Sequence, residues 1–337
     1  MTRPQRESRT GALLLSRSAV ERLLTADECI AAVEDAFRQH ALGHALAPGI
    51  LGMHVGDGSF HVKAASLTLD RGYFAAKLNA NFPQNGPRHG LPTIQGVVAL
   101  CDAANGTPLA VMDSMALTAL RTAAATAVTA KYLSRENAKT VLICGCGGQA
   151  SAHLRALLRV RTPAHVTVYD QDASKAAAFA ALHERETRIP IKPAQNLAAA
   201  VSTSDIVVTC TTAKRYFIER HMVRPGTFVA GVGADNENKQ ELDPLLLANS
   251  TVVADLIEQC AAIGDLHHAI DANVMTRADV HAELGQVVAG LKRGRAREDE
   301  IIVYDSTGTA LQDVAAAAAV YRRALDAGKA QHFSFDA

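Results

Sequence analysis

Apolar residues recur at near-helical spacing from Ser16 to His40, at Leu23, Leu24, Ile30, Val33 and Phe37, and predict one helix there. Residues 1–10 read as a loose polar tail. From Gly43 to Gly58 the chain is rich in Gly, Pro and His and shows neither period. At Ser59 the period becomes two. Phe60 and Val62 then share one face, read as the core face, and His61 and Lys63 share the other. Tyr73 to Phe82 alternates likewise, with Phe74, Ala76, Leu78, Ala80 and Phe82 opposite Tyr73, Ala75, Lys77, Asn79 and Asn81. Gln84 to Pro92 is rich in turn formers. Ile94–Cys101 and Pro108–Met112 predict two strands joined by the turn sequence Asp102-Ala-Ala-Asn-Gly106.

A long helix is predicted from Ser114 to Leu133. Beyond it, buried-strand patterns recur at Lys139–Cys144, His165–Tyr169, Asp205–Thr211, Thr227–Val232, Thr251–Asp255 and Ile301–Tyr304, with helical stretches between most of them. Several are unbroken Val/Ile runs, as strands covered on both faces must be. This order predicts an α/β chain: a Rossmann-type, doubly wound parallel sheet plus a smaller α+β domain. The division expected is 11–125 plus 310–337 for substrate binding and dimerisation, and 126–309 for the cofactor. The Ala-rich helix Ala310–Ala327 is expected to fold back onto the first domain.

Composition narrows the function classes. Thirty-four Lys and Arg balance 34 Asp and Glu, which leaves no basic excess for nucleic acid. Aromatic residues are 4% and Trp is absent, so the core is built from small aliphatic side chains. Six cysteines are scattered. The C-x-C pair Cys144/Cys146 has no second pair to complete a zinc site, so no metal is expected and the thiols read as reduced. The N-terminus has no apolar segment behind it, which predicts a cytoplasmic protein without a signal peptide. Arg121 at the centre of the apolar stretch Ser114–Ala130 argues for a buried helix over a membrane span.

The strongest motif is Lys139-Thr-Val-Leu-Ile-Cys-Gly145-Cys-Gly147-Gly148-Gln149-Ala150, a strand running into G-x-G-x-x-A before a helix. Gly145 permits the tight turn, Gly147 lets a pyrophosphate approach, and Ala150 lets the helix pack on the strand. Gly148 and Gln149 complete the loop, and the helix N-terminus offers free N–H groups to phosphate. Asp170 ends the next strand, twenty residues after Ala150, where a ribose-binding acid belongs. Gln171 and Asp172 follow it. No Arg is there for a 2′-phosphate, so NAD is expected before NADP.

Further residues carry a resemblance. Gly72-Tyr-Phe-Ala-Ala-Lys77-Leu-Asn-Ala-Asn-Phe-Pro83-Gln-Asn85, Asp113 followed by Leu117-Thr-Ala-Leu-Arg121-Thr122-Ala, and Gly231-Val-Gly-Ala-Asp235 with Lys239-Gln-Glu241-Leu-Asp243 are three such runs. Asp305-Ser-Thr-Gly308 and Gln312-Asp313-Val are two more. With the cofactor loop, they resemble the ornithine cyclodeaminase / mu-crystallin family over nearly the whole chain. The resemblance implies a two-domain subunit, dimerised through its substrate domain, with NAD(P)-dependent chemistry on amino acids or cyclic imines. It implies that Lys77 and Arg121 clamp the substrate carboxylate and that Asp235 transfers a proton. Thr122 is expected at the cofactor phosphate, and Ser306 and Thr307 near the nicotinamide.

Each role has a plainer alternative. Arg121 could answer a structural carboxylate such as Asp113, Lys77 could lie on a solvated strand face, and Asp235 could be a cap. His267 and His268 read as surface residues, and His61 as a satisfied or solvent-facing one. The family's Arg upstream of its substrate lysine has no counterpart in Gly43–Met53, and Lys63 is the stand-in. Three reactions stay open: ornithine cyclodeamination, alanine dehydrogenation and cyclic ketimine reduction. A mu-crystallin-like protein that binds a small ligand without turnover is the fourth possibility.

Overall fold

Two large sheets carry the chain, which the computed structural model describes over residues 11–328 and 330–335. The tail read at residues 1–10 lies outside the described residues. The first sheet has seven strands in the spatial order Gln331–Phe333, Ala12–Leu15, Pro108–Asp113, Ile94–Asp102, Gly72–Asn81, Gly58–Thr68 and Ala45–Val55. All its neighbours pair antiparallel except Ala12–Leu15 with Pro108–Asp113. The second has eight strands, every pair parallel: Ala282–Glu283, Thr251–Ala254, Ile302–Asp305, Phe228–Gly231, Ile206–Thr209, Thr140–Cys144, His165–Tyr169 and Ile191–Pro193. Chain order reverses between Thr140–Cys144 and Ile206–Thr209. That reversal leaves the ligand-binding crevice of a doubly wound sheet at their carboxyl ends.

The strong periods were sound guides. Helices Ser114–Leu133 and Ala310–Ala327 stand where their patterns put them. Ala310–Ala327 packs on the first sheet and against the helices Ala26–Ala41 and Ser114–Leu133. Ser114–Leu133 also lies against the cofactor-side helix Ala150–Val160, so it reaches from one sheet to the other. Its Ala and Thr side chains let neighbouring elements approach closely. Thr126 and Thr129 spend their hydroxyls on carbonyls one turn back.

Four expectations need correction. The first helix is two, Arg17–Leu23 and Ala26–Ala41, because Thr25 accepts the Glu28 N–H and Glu28 answers the Thr25 N–H in a capping box. The patternless stretch after Gly43 holds the edge strand Ala45–Val55, whose register shifts between Leu46 and Gly49 around Pro48, a residue without a ladder donor. The strands Ala12–Leu15 and Gln331–Phe333 are too short to show a period.

The fourth correction concerns faces. Lys63 and Lys77 are paired in register and lie on the covered face with Ala65, Tyr73 and Ala75, under Ala310–Ala327. The face read as core is the outer one. Leu51, Val62, Leu78 and Val97 stand in register across four strands on it, with Leu51, Leu78 and Val97 more than 40% exposed. A period of two separates faces but does not say which one a helix covers.

Candidate functional site

At the switch point the strand Thr140–Cys144 turns at Gly145, whose φ is +96° and whose added Cβ would lie 2.9 Å from the Cys210 carbonyl oxygen. Only glycine suits both the conformation and the approach. The crevice has two parts. One, of about 370 Å³, is lined by Gly145, Gly147, Tyr169, Asp170, Gln171, Lys175 and the 210–213 loop. The other, of about 500 Å³, takes in Thr118, Arg121, Thr122, Gly147, Gly148, Gln149, Asp235, Lys239 and the 306–308 loop. Gly147 and residues 210–212 border both, so the two parts form a continuous cleft.

The predicted cofactor residues sit along it. Asp170 accepts the Cys146 N–H at 2.8 Å and the Asp172 N–H at 2.9 Å, which fixes its carboxylate at the smaller cavity. Ala150 is fully buried, and a Cβ at Gly147 would meet nothing within 4 Å, as an open cradle requires. Thr122 gives its hydroxyl to Thr118 O at 2.7 Å. Thr118 Oγ1 and Gln149 Oε1 belong to the cleft lining and are buried without a partner. Such orphans are costly unless a ligand answers them. The cleft therefore fits a polar, phosphate-bearing cofactor.

Behind the larger cavity lies a buried cationic chamber. Lys77 Nζ is 2.8 Å from one Asp313 oxygen, and Arg121 Nε is 3.0 Å from the other. Arg121 Nη1 also donates to Gln312 Oε1 at 2.7 Å. Lys63 Nζ donates to the carbonyls of Thr307 and Gly308 at 3.0 and 2.9 Å. Gly308 has φ +73°, and a Cβ there would come within 2.5 Å of Arg121 Nη1, so glycine is needed for the loop to close over the guanidinium. The carboxylate that answers Arg121 is thus Asp313 and not Asp113. Asp113 caps Ser114–Leu133 through the Ala116 N–H and pairs with Arg17. Lys77 is not on a solvated face, and burial first, then Arg121, holds its pKa down to about 7. Burial also lowers Lys63, an effect Asp235 opposes. Asp313 remains below the usual carboxylate range because Arg121 and Lys77 outweigh its burial.

Asp235 sits in the loop after Phe228–Gly231, beyond the strand end expected of it. Its side chain is half exposed and pairs with Lys239 Nζ at 2.6 Å. Partial burial works to raise its pKa, but Lys239 and Lys63 outweigh it and keep the carboxyl low. His268, read as a surface residue, is half-buried with Nε2 2.8 Å from Lys239 O, while His267 faces Asp271 at 3.3 Å. His61 is satisfied by Ser59 Oγ at 2.9 Å. Ser306 and Thr307 are buried and tied by their loop to Asp255.

Two groups escaped the sequence reading as site residues. Asp313 and Gln312 lie in the first turn of a buried, Ala-rich helix, and a charge there carries the same signal that singled out Arg121. Glu241 and Asp255 lie below the loops and carry no local signal of their own. A Ser151–His183–Glu186 chain, at 2.8 and 3.0 Å, has the order of a hydrolytic triad but borders neither cavity. It ties the helices Ala150–Val160 and Ala173–Thr187 together.

Residues 11–328 match the ornithine cyclodeaminase/mu-crystallin family. The chain belongs to that family. Alanine dehydrogenase of Archaeoglobus fulgidus is 39% identical over 314 residues, covering 93% of this chain and 95% of that protein. An archaeal alanine dehydrogenase dimer solved with bound NAD superposes with TM-score 0.92 at 38% identity, covering 97% of this chain and all of that one. Thermococcus litoralis Δ1-pyrroline-2-carboxylate reductase, solved with NADH and L-proline, gives TM-score 0.90 at 33% identity over 95% of this chain and all of that one. These family members place the doubly wound sheet among NAD-binding folds. No helix among the described residues is long and apolar enough to cross a membrane.

Proposed function

We propose that the protein is an NAD-dependent oxidoreductase acting at the Cα–N bond of a 2-amino or 2-imino acid. One observation carries this reading. Lys77 and Arg121 share a single buried carboxylate, Asp313, Lys63 stands in register with Lys77 and is held by the Thr307 and Gly308 carbonyls, and Arg121 opens onto the cleft beside Gly147–Gln149. Burying cations in excess of anions costs free energy unless an anion completes the balance. A substrate carboxylate is that anion, with Arg121 as a planar fork and Lys77 as a point charge. Lys63 supplies the third charge.

The orphaned atoms at Thr118 and Gln149 and the open cradle at Gly147 fit NAD, held by Gly145, Gly147, Gly148, Gln149, Ala150, Asp170, Thr122, Ser306 and Thr307. Asp170 favours it over NADP. NAD held there would supply the acceptor for a hydride from the substrate Cα, and NADH the donor for the reverse direction. The protein does the rest. Lys77 and Arg121 fix the carboxylate so that Cα faces the cleft floor, and Asp235 moves the proton on and off the substrate nitrogen. Residues 126–309 form the cofactor lobe in this reading, and 11–125 with 310–337 the substrate lobe.

The reading covers alanine dehydrogenation and cyclic ketimine reduction alike. Ornithine cyclodeamination would add attack of a distal amine on the imine, ammonia loss and hydride return. A distal ammonium would approach a chamber already holding Lys63, Lys77 and Arg121, which argues for substrates without a second cation. The test follows reduced-cofactor absorbance and ammonia together, with NAD plus alanine, ornithine or proline, and with NADH plus a cyclic imine. Ammonia with NADH supports dehydrogenation, and NADH consumed with a cyclic imine supports reduction. Ammonia without net NADH establishes cyclodeamination, and silence on the whole panel supports a binding protein.

The outer-face row of exposed Leu51, Leu78 and Val97 with half-buried Val62 suits the self-association of a cytoplasmic homodimer. Light scattering of Leu78→Glu should show a monomer. A wild-type monomer at micromolar concentration would remove the dimer from the reading.

A further inference from the structure

Beneath the cleft floor, Glu241 is fully buried in the short strand Gln240–Leu242. Three donors converge on it. Gly233 N–H and Thr209 Oγ1 each reach Oε2 at 2.7 Å, and Thr211 N–H reaches Oε1 at 2.6 Å. The two backbone N–H groups can only donate, so they favour the ionised carboxylate against the rise in pKa that burial imposes on Glu241. A Cβ at Gly233 would lie 2.5 Å from Glu241 Cδ, so glycine is required for the carboxylate to reach the loop at all.

The three donors come from the end of the strand Ile206–Thr209, the loop after it and the loop after Phe228–Gly231. Thr209 and Thr211 flank Cys210, which borders both cavities, and Gly233 stands two residues before Asp235. Glu241 is itself fixed from below. Its own N–H and that of Leu242 both donate to Asp265 Oδ1, at 2.9 and 3.0 Å. The N–H groups of Asp265 and Leu266 in turn bind the Asp305 carboxylate at 3.2 and 2.8 Å. This chain of buried acids ends on a strand of the sheet, so Glu241 transmits a rigid reference to the loops above it.

We infer that Glu241 is a positioning residue for the reaction, holding the Gly231–Asp235 loop against the 209–213 loop so that Asp235 stands at the cleft. The inference rests on the proton-transfer role of Asp235. Glu241→Gln tests it most directly. An amide of the same shape keeps one acceptor oxygen and turns an N–H toward a donor whichever way it lies.

With the full chain and its amino-acid substrate, Glu241→Gln should lower kcat by about tenfold or more, while substrate KM and the NADH Kd from fluorescence titration stay within about threefold. Glu241→Asp, which keeps the charge with shorter reach, should recover part of the loss. In the Asp235→Asn background, Glu241→Gln should cost less than about twofold more, because the group it positions is gone. Wild-type kcat in Glu241→Gln, or a fully additive double variant, would overturn the inference and leave the role of Asp235 standing. Wild-type kcat in Asp235→Asn alone would remove the acid–base role and the inference with it. If Glu241→Gln does not fold, Gly233→Ala presses on the same junction from the other side, against both the Thr211 carbonyl and the Glu241 carboxylate. Unchanged kcat there would also overturn the inference.

Discussion

Two groups of buried charges lie close to the cleft, and they are satisfied in opposite ways. Around Lys63, Lys77 and Arg121, cations outnumber the one carboxylate among them. Around Glu241, Asp255, Asp265 and Asp305, carboxylates gather with backbone N–H groups as their main partners. The first group reaches the cleft through Arg121, and the second is closed beneath it. Amide donors balance an acid without carrying a full charge, and in the acid cluster they leave only Asp265 Oδ2 of the four carboxylates buried without a partner. In the cationic chamber the shortfall is one of charge, and it is what supports the anion site proposed above.

The sharpest way to break the contrast is to remove a cation. Arg121→Met should lower kcat/KM for the amino-acid substrate by about two to three orders of magnitude, the cost of removing one partner of a buried charge pair. Steady-state kinetics with saturating NAD measures it. A loss under threefold would place the substrate carboxylate elsewhere. Removing the anion should act on stability instead. Asp313→Asn leaves two buried cations without their counter-ion and should cost about 3–5 kcal/mol in denaturant unfolding. Because both cations would then repel each other at the carboxylate site, substrate KM should also change.

The two groups also have their pKa values displaced in opposite directions. Lys77, held down to about 7, loses its proton as pH rises through that value, so substrate KM should climb above neutral pH. In Lys77→Met, whose KM is already higher, that limb should vanish. Asp305 lies in the acid cluster, where burial raises its pKa to about 7. The folded state thus keeps a proton that the unfolded chain releases near pH 4. Its contribution to stability is present at low pH and declines as pH rises from about 4 to 7. Asp305→Asn, which cannot titrate, should flatten that decline in unfolding free energy. A wild-type curve unchanged by Asp305→Asn would show that this proton is not held. This is the smallest of the expected effects, since neighbouring carboxylates share the same proton.

Much of this was readable in the chain. The alternation of Val-rich strands and helices after Leu133, the Gly145–Ala150 loop and Asp170 each rest on contacts within about thirty residues, which is where periodicity and spacing carry information. Arg121 was conspicuous because a lone charge in an apolar helix demands a partner. That partner was not readable. Asp313 is 192 positions away in sequence, and Asp113 looked equally able to serve until the fold showed it capping its own helix. Lys77 and Phe74 were assigned to opposite faces correctly, but the covered face was settled by where Ala310–Ala327 packs.

By itself, then, the sequence determined the class of fold and the strand–turn–helix at Gly145–Ala150, because these follow from short-range pattern, and its motifs carried the resemblance to the family. Tertiary structure alone decided which face of the first sheet is inside, that Asp313 joins Lys77 to Arg121, and that Glu241 spans two loops. The reason is the same in each case. A buried charge is defined by what surrounds it, and its surroundings come from segments that only the folded chain brings together.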